Sequence, residues 1–90
     1  MNIRYSARAR VQIEIVYNYI AERNASAAMV VVAYIRQAVT LLTDHPHLGR
    51  ITDEKGVRML VVPRFPYVVF YKVHREEVFI LSIMHAAQEH

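Results

Sequence analysis

Three side chains in the second half of the chain have the chemistry to handle a phosphate group. His85 can exchange a proton near neutral pH, because an unperturbed imidazole has a pKa of ~6.5. Arg58 and Arg64 can each donate paired hydrogen bonds to phosphate oxygens. The ordinary alternatives are a structural histidine at a strand end and arginines that are paired or solvated at a rim. These three residues are therefore the candidates for catalysis.

Other residues with chemical potential favour structural roles. His45 and His47 flank Pro46, but no cysteine or spaced His-Glu set accompanies them, so we expect a helix stop and no metal or other cofactor. Tyr67 and Tyr71 lie two pleats apart on one strand face and could stack on bases. Aromatic residues placed in this way are more often part of a core or an interface.

Two helices are predicted in the first half, after a short strand at Asn2 to Tyr5. Ser6 is the predicted N-cap of the first helix, which runs from Ala7 to about Arg23. Ser26 is the predicted cap of the second, which runs to about Asp44. The first half of the second helix is apolar nearly all round, which indicates burial on several sides or a covering partner. The apolar residues at helical spacing in the first helix are Val11, Ile15, Val16, Tyr19 and Ile20.

In the second half of the chain, the apolar runs predict three strands after a polar loop over residues 44–56. They span Val57 to Val62, Tyr67 to Val73 and Val78 to His85, and their short connections predict an antiparallel meander. Consecutive apolar residues make both sheet faces apolar, so one face can pack on the helices and the other needs a cover or binds a partner. The predicted fold class is α+β: a short N-terminal strand and a two-helix hairpin packed on an antiparallel sheet of three to four strands.

Composition limits the chain to one domain over residues 1–90, with a modest core. Apolar residues make up 54% of the chain, so some are expected to form an exposed patch of the kind that marks a binding site. The formal charge of +3 permits contact with nucleic acid or an acidic protein. The longest apolar run, Ala27 to Ile35, is shorter than the ~18 residues of a membrane span, and the N-terminus lacks the apolar core of a signal peptide.

An ordered set of segments resembles the RelE/ParE toxin superfamily over nearly the whole chain, and ParE-type members in particular. The strand Pro66 to Tyr71 matches the family's Pro-Tyr-apolar-apolar-apolar-Tyr pattern, and Tyr19 to Glu22 resembles the end of the first ParE helix. The other segments that carry the likeness are Leu41-Leu42, His45 to Arg50, Gly56 to Val62 and Val78 to Ala87.

This resemblance implies a cytoplasmic toxin of a type II toxin–antitoxin system, held in a hetero-oligomer by a cognate ParD-like antitoxin. ParE-type members poison DNA gyrase, whereas RelE-type members cut mRNA on the ribosome. In the RelE-like alternative His85 would be the catalytic histidine, and Arg58 or Arg64 would hold the phosphate. RelE-type sites usually carry more Lys and Arg and a late Tyr, which this chain lacks after His85, so a gyrase inhibitor is favoured over an enzyme.

The antitoxin is expected to cover apolar surface, most simply as an amphipathic helix lying in a groove. The expected surface is the apolar part of the second helix, the exposed sheet face, or both. The predicted antitoxin-binding residues are Met29, Val32, Ala33, Arg58, Tyr67 and Tyr71.

Overall fold

The computed structural model describes residues 1–88, and it confirms an α+β fold in which two helices pack on one face of a sheet. The elements in chain order are β1 (Asn2–Tyr5), α1 (Ala7–Ala21), α2 (Ala25–Leu41), β2 (Arg50–Ile51), β3 (Val57–Val61), β4 (Tyr67–His74), β5 (Glu77–His85) and a 3₁₀ turn (Ala86–Gln88).

The two helices begin at side-chain caps, one of which the sequence predicted correctly. The Ser6 hydroxyl accepts a hydrogen bond from the backbone N–H of Ala9 at 3.0 Å. The second cap is Asn24 and not Ser26: its Oδ1 accepts from the N–H of Ala27 at 3.0 Å, and its own backbone is extended. Asn24 therefore both ends the loop and starts α2 two residues earlier than Ser26 could.

The sheet is mixed, with the order β1-β5-β4-β3-β2. The meander β3-β4-β5 is antiparallel, as predicted. Two features go beyond the prediction. β1 joins the far edge of β5 in parallel, and the two-residue β2 pairs antiparallel with β3 to make a fifth strand.

The core lies between the helices and one face of the sheet. On α1 the buried residues are Ala9 and Ile13, with Val16 and Ile20 packed against the same cluster. Three of the apolar residues predicted at helical spacing in the first helix face outward and expose 54%, 60% and 62% of their surface: Val11, Ile15 and Tyr19. The sheet contributes a row of aliphatic and tyrosine side chains to this core: Leu60, Val62, Tyr67, Val69, Tyr71, Val78, Ile80 and Ile83.

The face of the sheet that lacks helices is partly covered by its own side chains. Met59 and Val68 are buried on this face, and the strand register places Phe70 beside Met59 and Met84 beside Val68. Val61, on the same face, is 60% exposed. Among residues 1–88, no helix is both long and apolar enough to cross a membrane.

Candidate functional site: a groove at the β3 edge

A buried tyrosine fixes the loop that leads into β2. The Tyr71 hydroxyl donates a hydrogen bond to the carbonyl of Pro46 at 2.9 Å and accepts one from the N–H of Gly49 at 2.8 Å. Burial raises the pKa of Tyr71, an effect that the Gly49 hydrogen bond and the Arg58 charge oppose. The ring is fully buried, so Tyr71 cannot contact an antitoxin on the surface of this structure; the prediction of such a contact is corrected to a core and loop-holding role.

Gly49 is required where the loop crosses this tyrosine. A Cβ at Gly49 would lie 2.7 Å from Tyr71 Cε1 and 2.9 Å from the carbonyl oxygen of Met59. Only a residue without a side chain lets the loop lie this close to the sheet. The neighbouring residues Leu48 and Arg50 are consequently held at the edge of β3.

Arg58 supports the same loop from the other side. Its Nη1 donates to the carbonyl oxygen of Gly49 at 2.8 Å and to that of His47 at 3.3 Å. It lies on the helix-facing side of β3 with Leu60 and Val62, and it is partly buried. Arg58 therefore already donates hydrogen bonds within the fold, and fewer of its N–H groups remain for a phosphate.

The anchored loop forms one wall of an open apolar cavity of about 360 Å³. The C-terminal half of α2 forms the opposite wall, and β3 forms the floor. Leu41, Leu48 and Val61 are each more than half exposed there. We call this cavity the β3-edge groove; its lining residues are Ala38, Leu41, Leu48, Gly49, Arg50, Met59, Leu60, Val61 and Pro63.

The groove includes a length of open strand edge. β2 pairs only with Arg58 and Met59, so β3 has no neighbouring strand at Val61. Val62 donates its N–H to the Tyr67 carbonyl across the β3–β4 pair at 2.9 Å. In an antiparallel strand the backbone N–H and C=O groups of successive residues point to opposite edges. Since those of Val62 point toward β4, the N–H and C=O of Val61 point away from β4, toward the groove. An unpaired edge of this kind can accept an extended segment of another chain.

Arg64 follows Pro63, the last residue of the chain that lines the groove. It lies in the turn after β3 with a positive φ of 73°. Its Nη1 donates to the Tyr34 hydroxyl at 3.0 Å, and its guanidinium carbon is 5.6 Å from the centre of the Tyr34 ring. Tyr34 in turn packs edge-on against Phe65. These contacts join the β3–β4 turn to α2 next to Pro63.

His85 lies at the end of β5, opposite Tyr67. The two rings pack edge-to-face with centres 5.4 Å apart. The His85 Nδ1 accepts a hydrogen bond from the N–H of Ala87 at 3.1 Å. This hydrogen bond occupies Nδ1 as an acceptor and leaves Nε2 as the other ring nitrogen. Tyr67 is largely buried, and burial is the main cause of its raised pKa, with a further contribution from Tyr19. Its predicted antitoxin contact is therefore confined to the small exposed part of the ring.

The fold does not bring the three candidate catalytic residues together. Arg58 pairs with Tyr71 and His85 pairs with Tyr67, so Arg58 and His85 are separated by four residues along β4. At ~3.3 Å per residue this is about 13 Å, before the width of the sheet is added. Arg64 lies at the His85 end of the sheet, but its guanidinium is directed to α2.

The predicted antitoxin-binding residues on α2 lie at different levels of exposure. Met29 is 64% exposed and Ala33 is exposed, whereas Val32 is partly buried against the core. None of the three lines the β3-edge groove. The sequence reasoning missed the groove because it placed residues 44–56 in an open loop and gave Leu48 no tertiary role; the apolar Leu48 and Ile51 within that polar loop were the available signal.

The fold and groove define a small α+β domain with an apolar groove beside an open strand edge. Residues 3–90 match the family described as "ParE toxin of type II toxin-antitoxin system, parDE". A Sinorhizobium fredii protein named "Putative toxin Y4kP" is 38% identical over 87 residues, which cover 97% of this chain and 90% of that protein. A chain in the solved structure titled "Chromosomal ParDE TA system from P. aeruginosa" superposes with a TM-score of 0.84 at 25% identity, covering 94% of this chain and 95% of that one.

This chain belongs to the ParE toxin family of type II toxin–antitoxin systems. The resemblance drawn from the Pro66 to Tyr71 strand and its neighbouring segments is thereby confirmed.

Proposed function

We propose that this protein inhibits growth by poisoning DNA gyrase in the cytoplasm, and that a cognate ParD-like antitoxin neutralises it by occupying the β3-edge groove. The family match over residues 3–90 carries the proposal, because it assigns the chain to the ParE branch of the superfamily. The dispersal of Arg58, Arg64 and His85 supports action by binding over RNA cleavage, which needs a base, an acid and phosphate-binding cations within one site.

The chemistry of the groove supports a peptide occupant. Its walls are apolar, its volume of about 360 Å³ takes only a few side chains, and its floor offers the open edge of Val61. An antitoxin segment with apolar side chains can therefore gain both burial and backbone hydrogen bonds. Arg50 lines the groove and is exposed, so an acidic residue beside the apolar anchor would be favoured.

The target is tested by a matched pair of assays. Purified protein is added to gyrase supercoiling and cleavage reactions, and separately to a translating ribosome system. Loss of supercoiling or trapped DNA cleavage, with intact mRNA, is the expected result. Cut mRNA with unaffected gyrase would refute the gyrase proposal and favour the ribosome-dependent alternative.

His85 provides the control for that alternative. We expect His85→Ala to retain full toxicity when expression is induced in cells, because a gyrase-binding protein has no need of a proton donor at the end of β5. Loss of toxicity in a variant that remains folded would instead support a nuclease role for His85.

The antitoxin site is tested by placing a charge in the groove. Leu48→Glu puts a carboxylate on a wall residue that is 52% exposed, and the control Arg10→Glu puts one on an exposed residue of α1 outside the groove. Binding to the protein encoded beside this gene, measured by calorimetry, should weaken by at least about 100-fold for Leu48→Glu, as expected for a central apolar anchor. Arg10→Glu should bind like the native chain. Equal affinity for both variants would exclude the groove.

A further inference from the structure

A second apolar surface lies on α1, away from the β3-edge groove. Val11, Ile15 and Tyr19 expose 54%, 60% and 62% of their surface, and contiguous apolar surface of this kind often marks an interaction site. Arg8 and Glu22 are exposed at the two ends of this row. We call the row Arg8, Val11, Ile15, Tyr19 and Glu22 the α1 stripe.

The stripe is a single narrow face of the helix. At about 100° per residue its five members fall within roughly 80° of one another around the helix axis. The buried residues Ala9 and Ile13 lie on a different side, toward the sheet. Glu22 retains αR backbone angles as the C-cap, so it continues the same face. The whole stripe spans about 21 Å at 1.5 Å per residue.

The order of residues along the stripe is self-complementary about Ile15. Val11 and Tyr19 lie four residues on either side of Ile15, and Arg8 and Glu22 lie seven residues on either side. If two copies pack antiparallel about a two-fold axis at Ile15, the Val11 side chain lies level with Tyr19 of the second copy. Arg8 then lies level with Glu22 of the second copy, and the symmetry gives this opposite-charge pairing twice.

Neither of the end charges is paired within the described part of one chain. The one ion pair among residues 1–88 joins Arg4 and Glu77 at 3.4 Å. Arg23 lies beside the stripe, with its guanidinium carbon 5.8 Å from the centre of the Tyr19 ring.

We propose that the α1 stripe is a homodimer interface, in which α1 of two copies of this chain packs antiparallel about Ile15. A second copy is favoured as the occupant because its stripe matches this one residue by residue in both charge and size. The interface goes beyond the proposed toxin function and uses none of the groove residues. One helix pair buries less than the ~1,200–2,000 Å² of standard interfaces, so we expect dissociation at concentrations on the order of 10–100 µM.

Sedimentation equilibrium of the purified chain, across concentrations that span this range, tests the proposal. The native chain should shift from monomer to dimer, and Ile15→Asp should weaken the dimer by at least about tenfold because it removes the central apolar contact. Arg10→Glu is the matched control, because Arg10 is exposed on α1 outside the stripe. It should dimerise like the native chain. Circular dichroism confirms that each variant is folded.

Charge exchange distinguishes a second copy from any other occupant. Arg8→Glu or Glu22→Arg alone places like charges level with one another twice, and each should weaken the dimer by about tenfold at low salt. The double variant Arg8→Glu/Glu22→Arg restores opposite charges and should return the affinity to within about threefold of the native value. A native chain that stays monomeric throughout, or a double variant as weak as the single ones, would overturn the proposal.

Discussion

Removal of one hydroxyl group from the core is expected to release the loop that forms the groove. In Tyr71→Phe the ring remains, but the carbonyl of Pro46 loses its donor and the N–H of Gly49 loses its acceptor. Gly49 is buried, so its N–H has little access to water in the native backbone. The substitution therefore leaves unsatisfied polar groups and creates almost no cavity.

The size of the effect follows from those two groups. A buried donor or acceptor without a partner costs about 1–3 kcal/mol, and the Pro46 carbonyl is less costly because it is only partly buried. We expect Tyr71→Phe to lower the free energy of unfolding by about 2–3 kcal/mol. In a domain of this size that corresponds to a fall in Tm of about 10–20 °C.

Urea unfolding followed by circular dichroism, with thermal melts as a second measurement, gives the required numbers. Tyr17→Phe is the matched control, because Tyr17 is exposed on α1 and should change stability by less than about 0.5 kcal/mol. A loss below about 0.5 kcal/mol for Tyr71→Phe would refute the reasoning, since it would mean that the loop does not depend on the hydroxyl.

Four further outcomes follow from the same contacts. Stability should fall as the pH rises above about 10. Burial raises the pKa of Tyr71 from its ordinary value of 10.0, so the unfolded chain loses this proton at a lower pH than the folded chain does. In urea titrations across this pH range, the stability of Tyr71→Phe should fall less steeply. Gly49→Ala should cost about 1–3 kcal/mol in the same assay, because its methyl group would overlap the buried tyrosine ring. Gln12→Ala should cost about 1 kcal/mol and speed amide exchange at Ile83, whose N–H it leaves without the Gln12 Oε1 acceptor at 2.7 Å. Asn24→Ala should cost about 1 kcal/mol by removing the N-cap of α2, and unchanged stability would show that another cap replaces it.

The meander could be predicted because local signals mark each of its parts. The apolar runs of β3, β4 and β5 are separated by turn residues, and short connections force neighbouring strands to pair antiparallel. The pairing of β1 with β5 has no such signal. It joins Asn2 to Glu77 across nearly the whole chain, and parallel partners share no turn that could fix their register. The two residues of β2 are too few to show a strand period.

The orientation of α1 was harder to predict because the helix carries two apolar stripes. Ala9 and Ile13 lie on the stripe that packs on the sheet, whereas Val11, Ile15 and Tyr19 face outward. Both sets repeat at helical spacing, so periodicity alone cannot choose between them. Small and branched side chains can approach β5 closely, which favours the first set, but that criterion requires knowing which strand lies beneath.

Within the segments that carry the family resemblance, some residues hold the fold in place and others are exposed to a partner. Strand alternation turns Leu60 into the core and exposes Val61 on the other face, with its backbone at an open edge. Tyr71 and Gly49 are buried and hold the loop. Leu48 lies between Pro46 and Gly49, the two loop residues bonded to Tyr71, and is half exposed in the groove. A substitution at Gly49 or Tyr71 should therefore reduce stability first and antitoxin binding as a consequence. A substitution at Leu48 or Val61 should reduce binding with stability intact, and this contrast distinguishes a groove built for a partner from an apolar surface left open by a small core.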